Sequence, residues 1–161
     1  MTPFTKKQYW VAAFFLVTLV PTSCFAWSGK AVAVSDGDTI KVVHNGKVEK
    51  IRLYGIYPPP IKQGFGKKAR DFVSSFVLGE NVEVERKGTG RNAGALVSVS
   101  GEVVNELMVI KGYAWVHRQN CKEQFCANWI KMEDAARQEK KGLWLDPTII
   151  PPWERQSPRG K

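Results

Sequence analysis

The chain has few of the residues that build many familiar sites. Two histidines and three cysteines in 161 residues are too few for most His/Cys metal centres. A zinc site from His117, Cys121 and Cys126 has no evident fourth ligand, and the four-residue spacer between the cysteines does not suit a CxxC redox pair. Carboxylates are in the minority: 15 Asp and Glu stand against 24 Lys and Arg, a net charge of +9. That balance favours a polyanionic partner, whether nucleic acid, anionic lipid or cell-wall polymer. Internal repeats and low-complexity tracts are missing, which excludes solenoid and array architectures. No apolar run reaches the ~20 residues that cross a bilayer comfortably.

What the N-terminus does contain is a targeting pattern. Lys6 and Lys7 precede the apolar run Trp10–Val20, and Pro21–Ala26 ends in small residues at Cys24 and Ala26. This reads as a signal peptide over 1–26 with cleavage after Ala26, and hence as a periplasmic or secreted protein with no stable membrane span after cleavage. Cleavage removes Lys6 and Lys7, so +9 becomes +7 on the 135 residues that follow, enough for one domain. Cys24 leaves with the signal, and the remaining pair, Cys121 and Cys126, is expected to form a disulfide in an oxidising compartment. So short a loop contributes ~2 kcal/mol on the chain-entropy model.

Periodicity indicates an α+β domain over 27–145. Lys30–Ser35 and Thr39–His44 are short and β-branched, Asn45-Gly46 signals a two-residue hairpin, and Lys47–Tyr54 runs back. Gly66–Leu78 carries Ala69, Phe72, Val73, Phe76 and Val77 on one helical stripe, with Gly79 to stop it. Asn81–Arg86 and Ala95–Val99 supply two more strands, joined by the glycine-rich 87–94 connection. A short helix at Asn105–Lys111 should bury Leu107 and Ile110. An extended piece at Tyr113–His117 follows, then a long helix at Phe125–Lys141 with Trp129, Met132 and Ala136 on one side. The tail 146–161 is basic and holds four of the nine prolines, an extended arm that either packs Trp153 or lies free.

Two segments carry the most information: Asp36-Gly37-Asp38-Thr39, and Ile51-Arg52-Leu53-Tyr54-Gly55-Ile56 followed by Tyr57-Pro58-Pro59-Pro60. With Gly90-Arg91 downstream they resemble the staphylococcal-nuclease-like (thermonuclease) family. The likeness runs from about Gly29 to Glu154. It includes Phe65-Gly66-Lys67-Lys68-Ala69, Val104–Val109, Gly112–Val116 and Lys141-Gly142-Leu143-Trp144. The cysteine pair and Pro151-Pro152-Trp153-Glu154 are similar to its exported bacterial branch. The resemblance implies a small five-stranded OB-type β-barrel with covering helices. It also implies phosphodiester hydrolysis with Ca²⁺ on acidic ligands, arginines on the phosphate and a glutamate base.

The resemblance places Asp38 at the first metal-ligand position, and Arg52 and Arg91 at the two phosphate-binding positions. The second metal-ligating aspartate is replaced by Tyr57 and the glutamate by Pro60. One carboxylate does not supply the six to eight oxygens Ca²⁺ takes, and losing a positioned base alone costs about 10²–10⁴-fold. Asp36 is the turn residue on this reading. Glu49, Asp71, Glu102 and Glu106 are candidate replacement carboxylates that no spacing singles out, and neither His44 nor His117 stands out as a base. The expectation is an exported, catalytically degenerate thermonuclease-like protein. It would need no cofactor, and would bind nucleic acid or another polyanion through Arg52, Arg91, Lys67 and Lys68, with Tyr57 and Tyr113 as stacking candidates. Tyr54 and Trp115 are further aromatics of that kind, although the core is the commoner place for aromatics such as Tyr113 and Trp115 in a small barrel, and Lys67-Lys68 equally suit the solvated face of their helix. An active Ca²⁺-dependent endonuclease and an envelope protein-interaction module are the alternatives.

Overall fold

A computed structural model describes residues 26–151 and 153–154. The expected signal segment before Ala26 and the tail beyond Glu154 lie outside the described residues. The barrel strands are β1 (Ala26–Asp36), β2 (Thr39–His44), β3 (Lys47–Arg52), β5 (Asn81–Lys87) and β6 (Gly94–Val99), with the two-residue β4 (Ile56–Tyr57) between them in sequence. They pair antiparallel in the order β3-β2-β1-β5-β6, and a short strand β7 (Glu102–Val103) extends β6. Asn45 and Gly46 both take positive φ, as the hairpin between β2 and β3 requires.

Two features close the sheet into a barrel. Register shifts in β1 between Ala31 and Ala33 and between Val34 and Asp36 increase local twist and bend the strand. Leu53, just past β3, then bridges Ala95 in β6, and Tyr54 N–H donates to the Ala95 carbonyl at 2.8 Å. Gly94 permits that approach, since a Cβ there would lie 2.9 Å from the Tyr54 Cα. Inward residues such as Ile40, Val42, Ile51, Val82, Val84 and Val97 fill the interior.

Helix α1 (Gly66–Val77) lays Ala69, Val73 and Val77 on the barrel, with Phe72 and Phe76 partly buried at the edge of the same stripe. Helix α2 (Val104–Ile110) differs from expectation. Val104, Asn105, Met108 and Val109 face the core, whereas Leu107 and Ile110 are half-buried. The buried polar Asn105 turns the helix this way. Its amide donates to the Tyr54 and Ala95 carbonyls, and its Oδ1 accepts from Val97 N–H, all at 3.0 Å. A polar group buried with full partners thus ties α2 to the barrel seam.

Strand β8 (Trp115–Val116) pairs with β4 in a separate two-stranded sheet. Helix α3 (Cys126–Gln138) ends earlier than expected, because Lys140 takes a left-handed φ two residues before the 3₁₀ turn Gly142–Leu145 begins. It buries Trp129 and Ala136, while Met132 is only half-buried. Cys121 and Cys126 are disulfide-bonded, as expected from their pairing. The bridge passes Gly55, whose φ is +74° and where a Cβ would lie 2.7 Å from Cys121 Sγ. Among the described residues no helix is long and apolar enough to cross a membrane.

Candidate functional site

The turn between β1 and β2 places Asp36 and Asp38 at the mouth of a cleft of about 650 Å³. Its other walls are Lys50 and Arg52 of β3 and the run from Tyr57 to Lys62. Gly37 is there because nothing larger fits: a Cβ would lie 2.8 Å from Pro58. Asp38 and Arg52 meet because Thr39 and Arg52 are register partners across β2 and β3, and Arg52 Nε donates to Asp38 Oδ2 at 3.1 Å.

Asp38 is held tightly. Its Oδ1 accepts the Thr39 hydroxyl at 2.8 Å, and its backbone N–H donates to Asp36 Oδ1 at 3.2 Å. Burial is the main force raising its carboxyl to about 6, aided by Asp36 and opposed by Thr39 and Arg52. The side chain of Arg52 stays 48% exposed, so its outer nitrogens face solvent.

Arg52 also lines a second, shallower crevice, where Arg91, Asn92, His117 and Asn120 surround the Tyr54–Ile56 backbone. The two arginines expected to bind phosphate therefore border one opening. Arg91 sits on a 3₁₀ turn (Gly90–Asn92) flanked by Gly88 and Gly90, both at positive φ. That loop is anchored: a Cβ on Gly88 would lie 2.9 Å from the Tyr54 ring. Burial lowers the His117 pKa, and the Arg52 charge adds to the effect. The strand leading into His117 is fixed from α3, where buried Glu133 accepts Val116 N–H at 3.0 Å and pairs with Arg118 at 2.7 Å. Burial raises the Glu133 pKa against both partners.

Other expected site residues lie elsewhere. Lys67 and Lys68 do not line the cleft, and Lys68 instead lies over the Phe65 ring beside a separate groove. Tyr113 stacks on Phe72 with centroids 4.2 Å apart and is a packing residue. Trp115 and Tyr54 are core. Tyr57 does line the cleft, half-buried, and Pro60 is exposed on its rim. Glu49, Asp71, Glu102 and Glu106 are all absent from the cleft lining. Three of them have partners elsewhere: Glu49 holds Arg86, Asp71 holds Arg70, and Glu106 accepts the Trp129 indole.

Lys50, Lys62 and Asn120 line the two openings without having been singled out in the sequence, and His117 joins them although it did not stand out as a base. His117 closes the expected extended piece Tyr113–His117 and in the structure stands one residue past β8. Lys62 had no sequence signal, since only the folded turn from Pro58 brings it to the cleft, whereas Lys50 lies two residues before Arg52 on the same face of β3.

Residues 50–146 match the family described as Staphylococcal nuclease homologue. The chain belongs to this family. It is 38% identical over 136 residues to an "Uncharacterized endonuclease" of Escherichia coli O157:H7, covering 83% of this chain and 87% of that one. It is 34% identical over 157 residues to "Protein ParB" of Escherichia coli, covering 89% and 88%. A "Micrococcal nuclease" of Shigella flexneri is 32% identical over 157 residues, covering 89% and 87%. The barrel with its helical cover is thus a staphylococcal-nuclease fold.

The donors of the cleft do not suit the Ca²⁺ that the resemblance implies. Asp36 and Asp38 are the carboxylates that line the cleft. Both Asp38 oxygens and one Asp36 oxygen already accept internal hydrogen bonds. Among the described residues no three His, Cys, Asp or Glu side chains cluster as metal ligands. Lys50, Arg52 and Lys62 put positive charge on the same walls. A cation that takes six to eight oxygens, several of them anionic, does not fit this set.

Proposed function

We propose that this member of the nuclease family binds nucleic acid, or another phosphate polyanion, without hydrolysing it. The observation that carries the reading is the position of Arg52. Its exposed guanidinium borders both the cleft, with Lys50 and Lys62, and the crevice, with Arg91. Two guanidiniums on one opening suit a phosphate, because their planar forks match its oxygens bidentately. The hydrolytic half has no comparable support, since Tyr57 and Pro60 stand where the resemblance calls for a ligand and a base. Export through residues 1–26 belongs to the same reading, and the Cys121–Cys126 disulfide supports it.

The test is incubation of the purified protein with single-stranded DNA and RNA, with Ca²⁺ and then with EDTA. The expected result is intact strands in both conditions and salt-sensitive binding that weakens about 10-fold or more in Arg52→Ala and Arg91→Ala. Ca²⁺-dependent cleavage that disappears in Arg52→Ala would reinstate an active endonuclease, in line with the names its relatives carry. Neither cleavage nor binding would point to a protein partner.

A further inference from the structure

Beside the arginines stands an aromatic wall that phosphate binding leaves unused. Trp153, from the C-terminal segment, meets His117 at 5.4 Å between ring centroids and Tyr57 at 5.8 Å, and Tyr57 meets His117 at 6.0 Å. Tyr57 and Trp153 cross at 78°, Tyr57 and His117 at 64°. Both are edge-to-face contacts, whereas His117 and Trp153 are tilted at 45°. Trp153 is 42% exposed although it packs on three rings, the third being buried Trp115. The wall also joins the two openings: Tyr57 lines the cleft and His117 lines the crevice, with Arg52 in both.

We propose that this wall stacks one unpaired base of a single-stranded nucleic acid, so that Trp153 forms part of the ligand site. The inference rests on the phosphate-clamp reading and narrows its ligand class. Cations for a backbone phosphate lie next to π-faces, which is the composition of sequence-tolerant single-strand sites. A duplex would not use it, because paired bases hide their faces in the stack. Tyr57 gains a role in place of the lost ligand: a neutral phenol presents a flat ring where an aspartate would present charge.

The experiment compares affinities for a 12-nucleotide oligothymidine, an abasic strand of equal length and a duplex, all in EDTA. The protein is taken as wild type, Trp153→Leu, Trp153→Phe, Arg52→Ala and Arg91→Ala. The expected wild-type preference for thymidine over the abasic strand is about tenfold, the scale of one stacked base. Trp153→Leu should bring that ratio toward one, and Trp153→Phe should restore part of it. Equal affinity for the two strands in wild type, or a ratio unchanged in Trp153→Leu, would overturn the stacking site. Abasic-strand binding that ignores Arg52→Ala and Arg91→Ala would overturn the clamp instead. Equal or tighter binding of the duplex would exclude an unpaired base as the ligand.

Discussion

At the residue scale the most informative group is Asp38, because the fold works against its charge. Its carboxyl titrates at about 6 in the folded protein against 3.8 for an unperturbed one, so the folded state holds an extra proton between those values. Stability contributed by this group is full below pH ~4 and is lost as pH rises through ~6. At ~1.4 kcal/mol per unit, the loss is at most ~3 kcal/mol. Asp38→Asn keeps an acceptor for Arg52, turns an amide N–H toward the Thr39 hydroxyl, which can accept it, and removes the buried charge. It should raise stability at pH 7.5 by about 1–3 kcal/mol and leave it nearly unchanged at pH 4, read by urea melts at both values. It should also free Arg52 from its ion pair and tighten binding to an abasic strand several-fold. A catalytic Asp38 would give the opposite result, a loss of function. The same cleft gives a converse test in Tyr57→Asp with Pro60→Glu. Added Ca²⁺ should leave the wild-type melting temperature unchanged and raise that of the double variant, because binding only to the folded state stabilises it.

At the scale of elements, the site depends on how α3 holds β8. Glu133 engages Val116 N–H and Arg118, the neighbours of His117 on either side. Glu133→Leu leaves the buried Val116 N–H without an acceptor and should cost about 1–3 kcal/mol. Arg118 adds little to that, since its side chain is 49% exposed and stays hydrated. Glu133→Gln retains the Val116 bond and should recover most of the loss in a denaturant titration. Elements of this kind divide what could be read in the sequence from what could not. The hairpin, α1 and the strands were legible because Asn45-Gly46, the Ala69–Val77 stripe and β-branched runs act locally. Asp38 and Arg52 were assigned to one site by the resemblance alone; their ion pair had no sequence signal and follows from the β2–β3 register. The face of α2 was misread because buried Asn105 outweighs the Leu107–Ile110 spacing. Lys67, Lys68 and Tyr113 were misplaced because α1 turns its first residues toward Phe65 and its Phe72 edge toward Tyr113. His117 and Trp153 come together through β8 and the C-terminal segment, across 36 residues of chain that leave no local pattern.

At the scale of the whole molecule, net charge and site geometry make different claims about binding. A charge of +9, or +7 after loss of Lys6 and Lys7, would attract any polyanion diffusely, and no single arginine would matter much. A built site concentrates the effect in the cations that line the two openings: Lys50, Arg52, Lys62 and Arg91. If these engage three to four phosphates of a single strand, log K should fall with log salt at a slope of about −2 to −3. Arg52→Ala should then make the slope shallower by about 0.7, one phosphate contact on a single strand. Lys67→Ala, outside both openings, should change it by much less. Titrating an abasic oligonucleotide at four or five salt concentrations separates the two cases. Slopes that shift equally for Arg52→Ala and Lys67→Ala would mean that the basic surface as a whole binds. A shift confined to Arg52→Ala and Arg91→Ala would place the phosphate contacts where the cleft and the crevice share a guanidinium.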